Sequence, residues 1–113
     1  MANSGFGPLA GMMVVELCHH MAGPTCGLML ADMGADVIKI EKIAGGDDSR
    51  RATPPEINGE PAAFMMMNRN KRGVVLDLKT EKGVAALRKL IEKADVVTEN
   101  FRPGVMERLS LGY

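Results

Sequence analysis

Met12-Met13-Val14-Val15-Glu16-Leu17, then Gly23-Pro24, then Ala35-Asp36-Val37-Ile38-Lys39-Ile40-Glu41 follow one another within residues 12–41. The first run is short and mostly apolar, as a strand buried on both faces of a sheet must be. Gly23-Pro24 breaks it, and proline suits the first turn of a helix, where its missing N–H is not needed. Over 25–33, Cys26, Met29, Leu30 and Met33 recur at spacings of three and four, which predicts one apolar helical stripe. Gly27 on that helix would allow close packing on a sheet, and Gly34 suits a left-handed C-terminal cap. Residues 35–41 are β-branched and read as a second strand. The sum is a βαβ unit, whose crossover is expected to be right-handed.

The same alternation continues outward. Residues 73–78 predict a third strand, and Thr80 caps a helix with Val84, Leu87, Leu90 and Ile91 on its apolar face. Residues 94–99 predict a fourth strand, and Pro103-Gly104 opens a last helix packed through Val105, Met106 and Leu109. Residues 43–61, crowded with glycine, proline, aspartate and asparagine, read as a long loop, and loops of that length are usually functional or mobile. A short helix is expected over 61–67. Strands alternating with helices predict an α/β fold: a Rossmann-like parallel sheet of about four strands with flanking helices. It would be one partial domain over 1–113, with exposed edge strands that invite pairing with another chain.

Composition narrows the function classes. Apolar residues make up 46% and charged residues 25%, the balance of a globular domain. Fourteen basic and 14 acidic residues cancel, so a nucleic-acid partner is not expected. The local clusters Arg50-Arg51 and Arg69, Lys71, Arg72 could still serve a small polyanion. No apolar run reaches the ~18 residues of a membrane span. Met1-Ala2-Asn3-Ser4-Gly5 lacks the pattern of a secretory signal, which makes the cytoplasm the expected location. Cys18 and Cys26 form no CxxC pair and are expected to be buried free thiols; no metal is assigned. His19 and His20, read as strand neighbours, would point to opposite faces and share no ion. Ten methionines, including Met65-Met66-Met67, are expected as core filler.

In open α/β sheets ligands sit at the carboxyl ends of strands. Gly23-Pro24-Thr25-Cys26-Gly27 could place a helix N-terminus at a pyrophosphate or merely make a turn. Glu41 stands where a ribose-binding acid would, but the GxGxxG of a dinucleotide site is missing, which disfavours NAD. Lys42, after the second strand, fits a phosphate contact or a solvated lysine. Asn68-Arg69-Asn70-Lys71-Arg72 fits anion binding, a subunit contact or a charged loop. Asp77 is a candidate acid without an evident partner, and Lys79 could neutralise phosphate. Asn100-Phe101-Arg102 offers an amide, an aromatic face and a guanidinium, an apt set for a nucleotide. Asn100 could instead satisfy turn backbone, and Phe101 could be core. Arg108 is a further phosphate candidate or a surface residue.

Ala22-Gly23-Pro24, the run 30–41, Gly45-Gly46-Asp47, Asn68 through Arg72, Leu76-Asp77-Leu78-Lys79-Thr80, Glu99 through Gly104, Met106 through Leu109 and Leu111-Gly112-Tyr113 together resemble the family III CoA-transferases. That group includes formyl-CoA transferase, carnitine CoA-transferase and α-methylacyl-CoA racemase. The resemblance implies a CoA or acyl-CoA site at Met21, Ala22, Lys42, Leu76, Asp77, Leu78, Lys79, Asn100, Phe101, Arg102 and Arg108. Met21 stands where some members carry a polar residue. In the family an aspartate attacks the acyl-CoA carbonyl, a mixed anhydride forms and CoA leaves as thiolate. None of Asp32, Asp36, Asp47, Asp48, Asp77 or Asp95 matches that aspartate, so no catalytic residue is assigned. The family's interlocked dimers imply a homo-oligomer or a complementary chain. The expectation is the CoA-binding N-terminal portion of such an enzyme, not catalytic alone. A fragment of an acyl-CoA racemase and a non-catalytic self-association or partner-binding module are the alternatives.

Overall fold

A computed structural model describes residues 6–113; the N-terminal signal expectation on Met1 through Gly5 falls outside them. Strand β1 (Met13–Leu17) leads into helix α1 (Ala22–Asp32) and strand β2 (Asp36–Glu41). A 3-10 turn (Asp48–Arg51) and a two-stranded hairpin, β3 (Glu56–Ile57) with β4 (Glu60–Pro61), precede helix α2 (Ala62–Asn68). Then come β5 (Lys71–Val75), α3 (Glu81–Ile91), β6 (Val96–Glu99) and α4 (Val105–Arg108). The four long strands form a parallel sheet ordered β5-β2-β1-β6. The chain builds outward from β1 to β5, then crosses back to place β6 on the other side of β1. The crevice between the carboxyl ends of β1 and β6 is therefore a topological switch point.

The two sheet faces differ. Val15, Leu17, Ile38 and Ile40 pack with Leu87 of α3, joined by Val74, Leu90 and Ile91. Thr80 starts α3 as expected, its Oγ1 accepting the Gly83 N–H at 3.0 Å. The opposite face is apolar only at its amino end, where Val14 and Val37 meet Ala31 and Ala35. Toward the carboxyl end it carries Glu16, Lys39 and Glu41, all buried.

That charged half-face corrects the reading of α1. The expected stripe of Cys26, Met29, Leu30 and Met33 is not the packed one. Pro24, Gly27 and Ala31 are buried, whereas Cys26, Met29 and Met33 are exposed. The Glu16 carboxylate lies directly under the helix, and a Cβ added at Gly27 would overlap its Oε1. Only small residues let the helix settle there. Cys18 is the buried thiol, pushed up to about 11 by burial. Met65 and Met66 are likewise exposed rather than core.

The third strand begins two residues earlier than its apolar pattern suggests. Lys71 and Arg72 pair in register with Val37 and Ile38, while Leu76 through Leu78 lie past the strand end. The Lys71 ammonium is buried at 2.8 Å from Glu16 Oε1, so a charged residue occupies an inward strand position because its counter-charge is already there. The 43–61 segment is not plain loop. Asp47 caps the 3-10 turn by accepting from Ser49 N–H, and Arg50 grips Glu41 with two bonds of 2.8 Å while lying over the Phe64 ring. No helix among the described residues is long and apolar enough to cross a membrane.

Candidate functional site

A cavity of about 400 Å³ opens at the carboxyl edge of the sheet. Its walls come from the ends of β1 and β2 (Leu17, Ile40), the segment after β5 (Leu76 through Lys79) and the two ends of α4 (Val105 and the capping Leu109). Phe101 closes one side, and Glu41, Lys42, Asp77, Lys79 and His19 are the polar residues of the lining. A second cavity of about 390 Å³ shares Leu78, Lys79 and Leu109 with it and adds Arg88 and Arg108. Lys79 thus stands where an apolar slot gives way to a cationic one. Apolar walls with a few polar groups at the rim are the common make-up of a small-molecule site.

Of the residues expected in the site, Lys42, Leu76, Asp77, Leu78, Lys79 and Phe101 converge on the first cavity, and Arg108 lies in the adjoining one. Met21 and Ala22 sit exposed at the start of α1 and line neither cavity; nor does Arg102. Asn100 spans the switch-point crevice. Its Oδ1 accepts the His19 N–H at 3.0 Å, and its Nδ2 donates to the His19 carbonyl at 2.8 Å. The amide satisfies turn backbone and ties β6 to β1. Gly23 lets this corner close, since a Cβ there would collide with Cys18 and crowd Asn100.

Beneath the cavity floor runs a buried ionic network. Lys39 Nζ donates at 2.9 Å to Glu16 Oε2 and to the Cys18 carbonyl, and lies 2.9 Å from Asp47 Oδ2. Lys71 Nζ reaches Glu16, the Pro24 carbonyl and Asn68 Oδ1. Each ammonium thus has two hydrogen-bond acceptors and one ion-pair oxygen, Asp47 Oδ2 for Lys39 and Glu16 Oε1 for Lys71, and those two buried oxygens accept no hydrogen bond among the described residues. Burial works to raise the Asp47 carboxyl, but bonds from Lys39, Ser49 and the His20 N–H outweigh it and hold it well below the usual carboxylate range. Arg50 does the same for Glu41. Burial lowers Lys71 against the partial compensation of Glu16. At the rim Lys42 lies 2.6 Å from Asp48, which Arg51 and His20 also approach. A phosphate would have to take Lys42 from Asp48.

The expectation that His19 and His20 are strand neighbours hides His19 from the site, and the structure differs. Both histidines lie beyond Leu17, and His20 has the left-handed φ of 67° that turns the chain toward α1. His19 faces the cavity and meets the Phe101 ring at 5.9 Å, whereas His20 turns to Asp48. Its place just after the first strand was the available signal. Leu109, expected only as helix packing, lines both cavities. Among the described residues no cluster of His, Cys, Asp or Glu could hold a metal.

Residues 9–113 match CoA-transferase family III. The chain belongs to that family. It is 47% identical over 112 residues to a succinate–glutarate CoA-transferase of Agrobacterium fabrum, covering 94% of this chain and 28% of that protein. It is 44% identical to a formyl-CoA:oxalate CoA-transferase of Bradyrhizobium diazoefficiens, covering 89% of this chain and 24% of that protein. Among solved structures, a CAIB/BAIF family protein from Brucella suis superposes with a TM-score of 0.89 at 44% identity, over 96% of this chain and 29% of that one. The chain thus spans under a third of the length of these family III relatives. A more distant likeness, to a β-ketoacyl-ACP reductase at 20% identity and TM-score 0.52, reflects the Rossmann-like fold alone.

Proposed function

We propose that this chain is the CoA-binding N-terminal portion of a family III CoA-transferase, which moves CoA from an acyl-CoA to a carboxylic acid. The observation that carries the reading is the convergence of Lys42, Leu76 through Lys79 and Phe101 on one cavity, with Arg108 next door. The apolar slot beside Phe101 suits the adenosine of CoA, and Lys79, Arg108 and Lys42 suit its phosphates. Asn100 serves by holding the His19 turn rather than by touching a base. The reading assigns no catalytic residue and no metal to these 113 residues, and turnover by the chain alone is not expected. A cytoplasmic setting and a dimeric or two-chain assembly are part of the same reading.

Calorimetric titration with CoA tests it. Lys79→Ala and Arg108→Ala should each weaken binding about tenfold, the loss of one charge-assisted hydrogen bond of ~1.5 kcal/mol. Added salt should weaken the parent chain as well. Absence of binding at millimolar CoA would overturn the reading.

A further inference from the structure

His19 lines the cavity, and the CoA reading leaves it unused. Its ring leans on Phe101. Its backbone is clamped on both sides by Asn100, so the ring cannot swing away with the loop. Nδ1 is buried and has no hydrogen-bond partner among the described residues. A proton on Nδ1 would be an unsatisfied buried donor, more costly than an unsatisfied lone pair. Burial also lowers the imidazole, against Asp47, which raises it; Lys39 and Lys42 add to the lowering and Asp48 opposes it. The neutral ring then carries its single proton on Nε2. That nitrogen is not among the buried orphaned atoms, and the ring makes no hydrogen bond among the described residues.

We propose that His19 is a further coenzyme contact, donating its Nε2–H to an acceptor atom on the adenosine half of CoA held in the 400 Å³ cavity. This rests on the CoA reading above. The adenosine half is chosen because Phe101, Leu17 and Ile40 line the cavity with His19, whereas of the cations that suit phosphates Lys42 is paired with Asp48 at the rim and Lys79 and Arg108 line the adjoining cavity. An uncharged donor adds direction to such a slot without placing a buried charge in it.

The test uses the 113-residue chain with CoA and with 3′,5′-ADP, which lacks the pantetheine arm. His19→Phe keeps the ring and should weaken both ligands about tenfold. His19→Gln returns an amide N–H near the Nε2 position and should bind within about threefold of the parent, while His19→Asn, which reaches only the Nδ1 position, should bind like His19→Phe. Parent-level binding by His19→Phe, rescue by Asn in place of Gln, or a loss confined to CoA would overturn the proposal. Should a variant misfold, the imidazole ¹H–¹⁵N spectrum of the parent decides. The Nε2–H tautomer with an Nε2 shift on adding CoA supports the contact, and the Nδ1–H tautomer refutes it. A parent that binds no CoA brings down the functional reading and this inference together; a parent that binds with an indifferent His19 brings down this inference alone.

Discussion

Asp47 gathers the His20 and Ser49 N–H groups, the Ser49 hydroxyl and the Lys39 ammonium around one buried carboxylate. In the sequence it is one more acid in a glycine-rich loop, and its importance is invisible because Lys39 lies eight positions earlier, on a strand whose pattern otherwise reads as apolar. In the folded chain Asp47 and Glu41 titrate below their ordinary range. The unfolded chain therefore binds more protons in acid. The stability these groups contribute is complete above about pH 5 and is lost progressively as pH falls through their ordinary range toward their folded values. Asp47→Asn should cost about 3 kcal/mol at pH 7, because Lys39 loses a buried counter-charge, and should flatten the acid limb of stability. Urea midpoints from neutral pH down to about pH 3 measure both effects. An unchanged midpoint at neutral pH would remove Asp47 from any structural role.

At the scale of elements, α3 was legible and α1 was not, for one reason. α3 packs on a plain apolar face, so its stripe and its Thr80 cap carry the whole signal. α1 packs over the Glu16 carboxylate, so its inward residues are the smallest ones and its larger apolar residues face outward. Periodicity finds the large residues and picks the wrong side. The two assignments predict opposite mutational rankings. Gly27→Ala should destabilise by about 2 kcal/mol through overpacking, and Met29→Gln should change stability by no more than ~0.5 kcal/mol. Thermal denaturation of the two variants compares them directly, and the reverse order would restore Met29 to the core.

For the whole molecule, β5 and β6 are the outer strands of the sheet among the described residues, and Met21, Met29, Ile43 and Met66 are exposed. Open edges recruit strands. The chain should associate in a concentration-dependent way in sedimentation equilibrium, and Val97→Lys on β6 should shift it toward monomer; a parent that is monomeric throughout would contradict this. What the sequence by itself determined is the strand–helix alternation, the place of the 76–79 and 100–102 segments at strand ends and the family, because these follow from local periodicity and short contiguous motifs. What only the tertiary structure decided is which faces are inside and which side chains share a space. Glu16, Lys39, Lys71 and Asp47 meet under one helix, and His19, Phe101 and Lys79 around one cavity, through parallel crossovers that bring distant residues together. Their pairing energy depends on burial and distance, and neither is written in the order of residues along the chain.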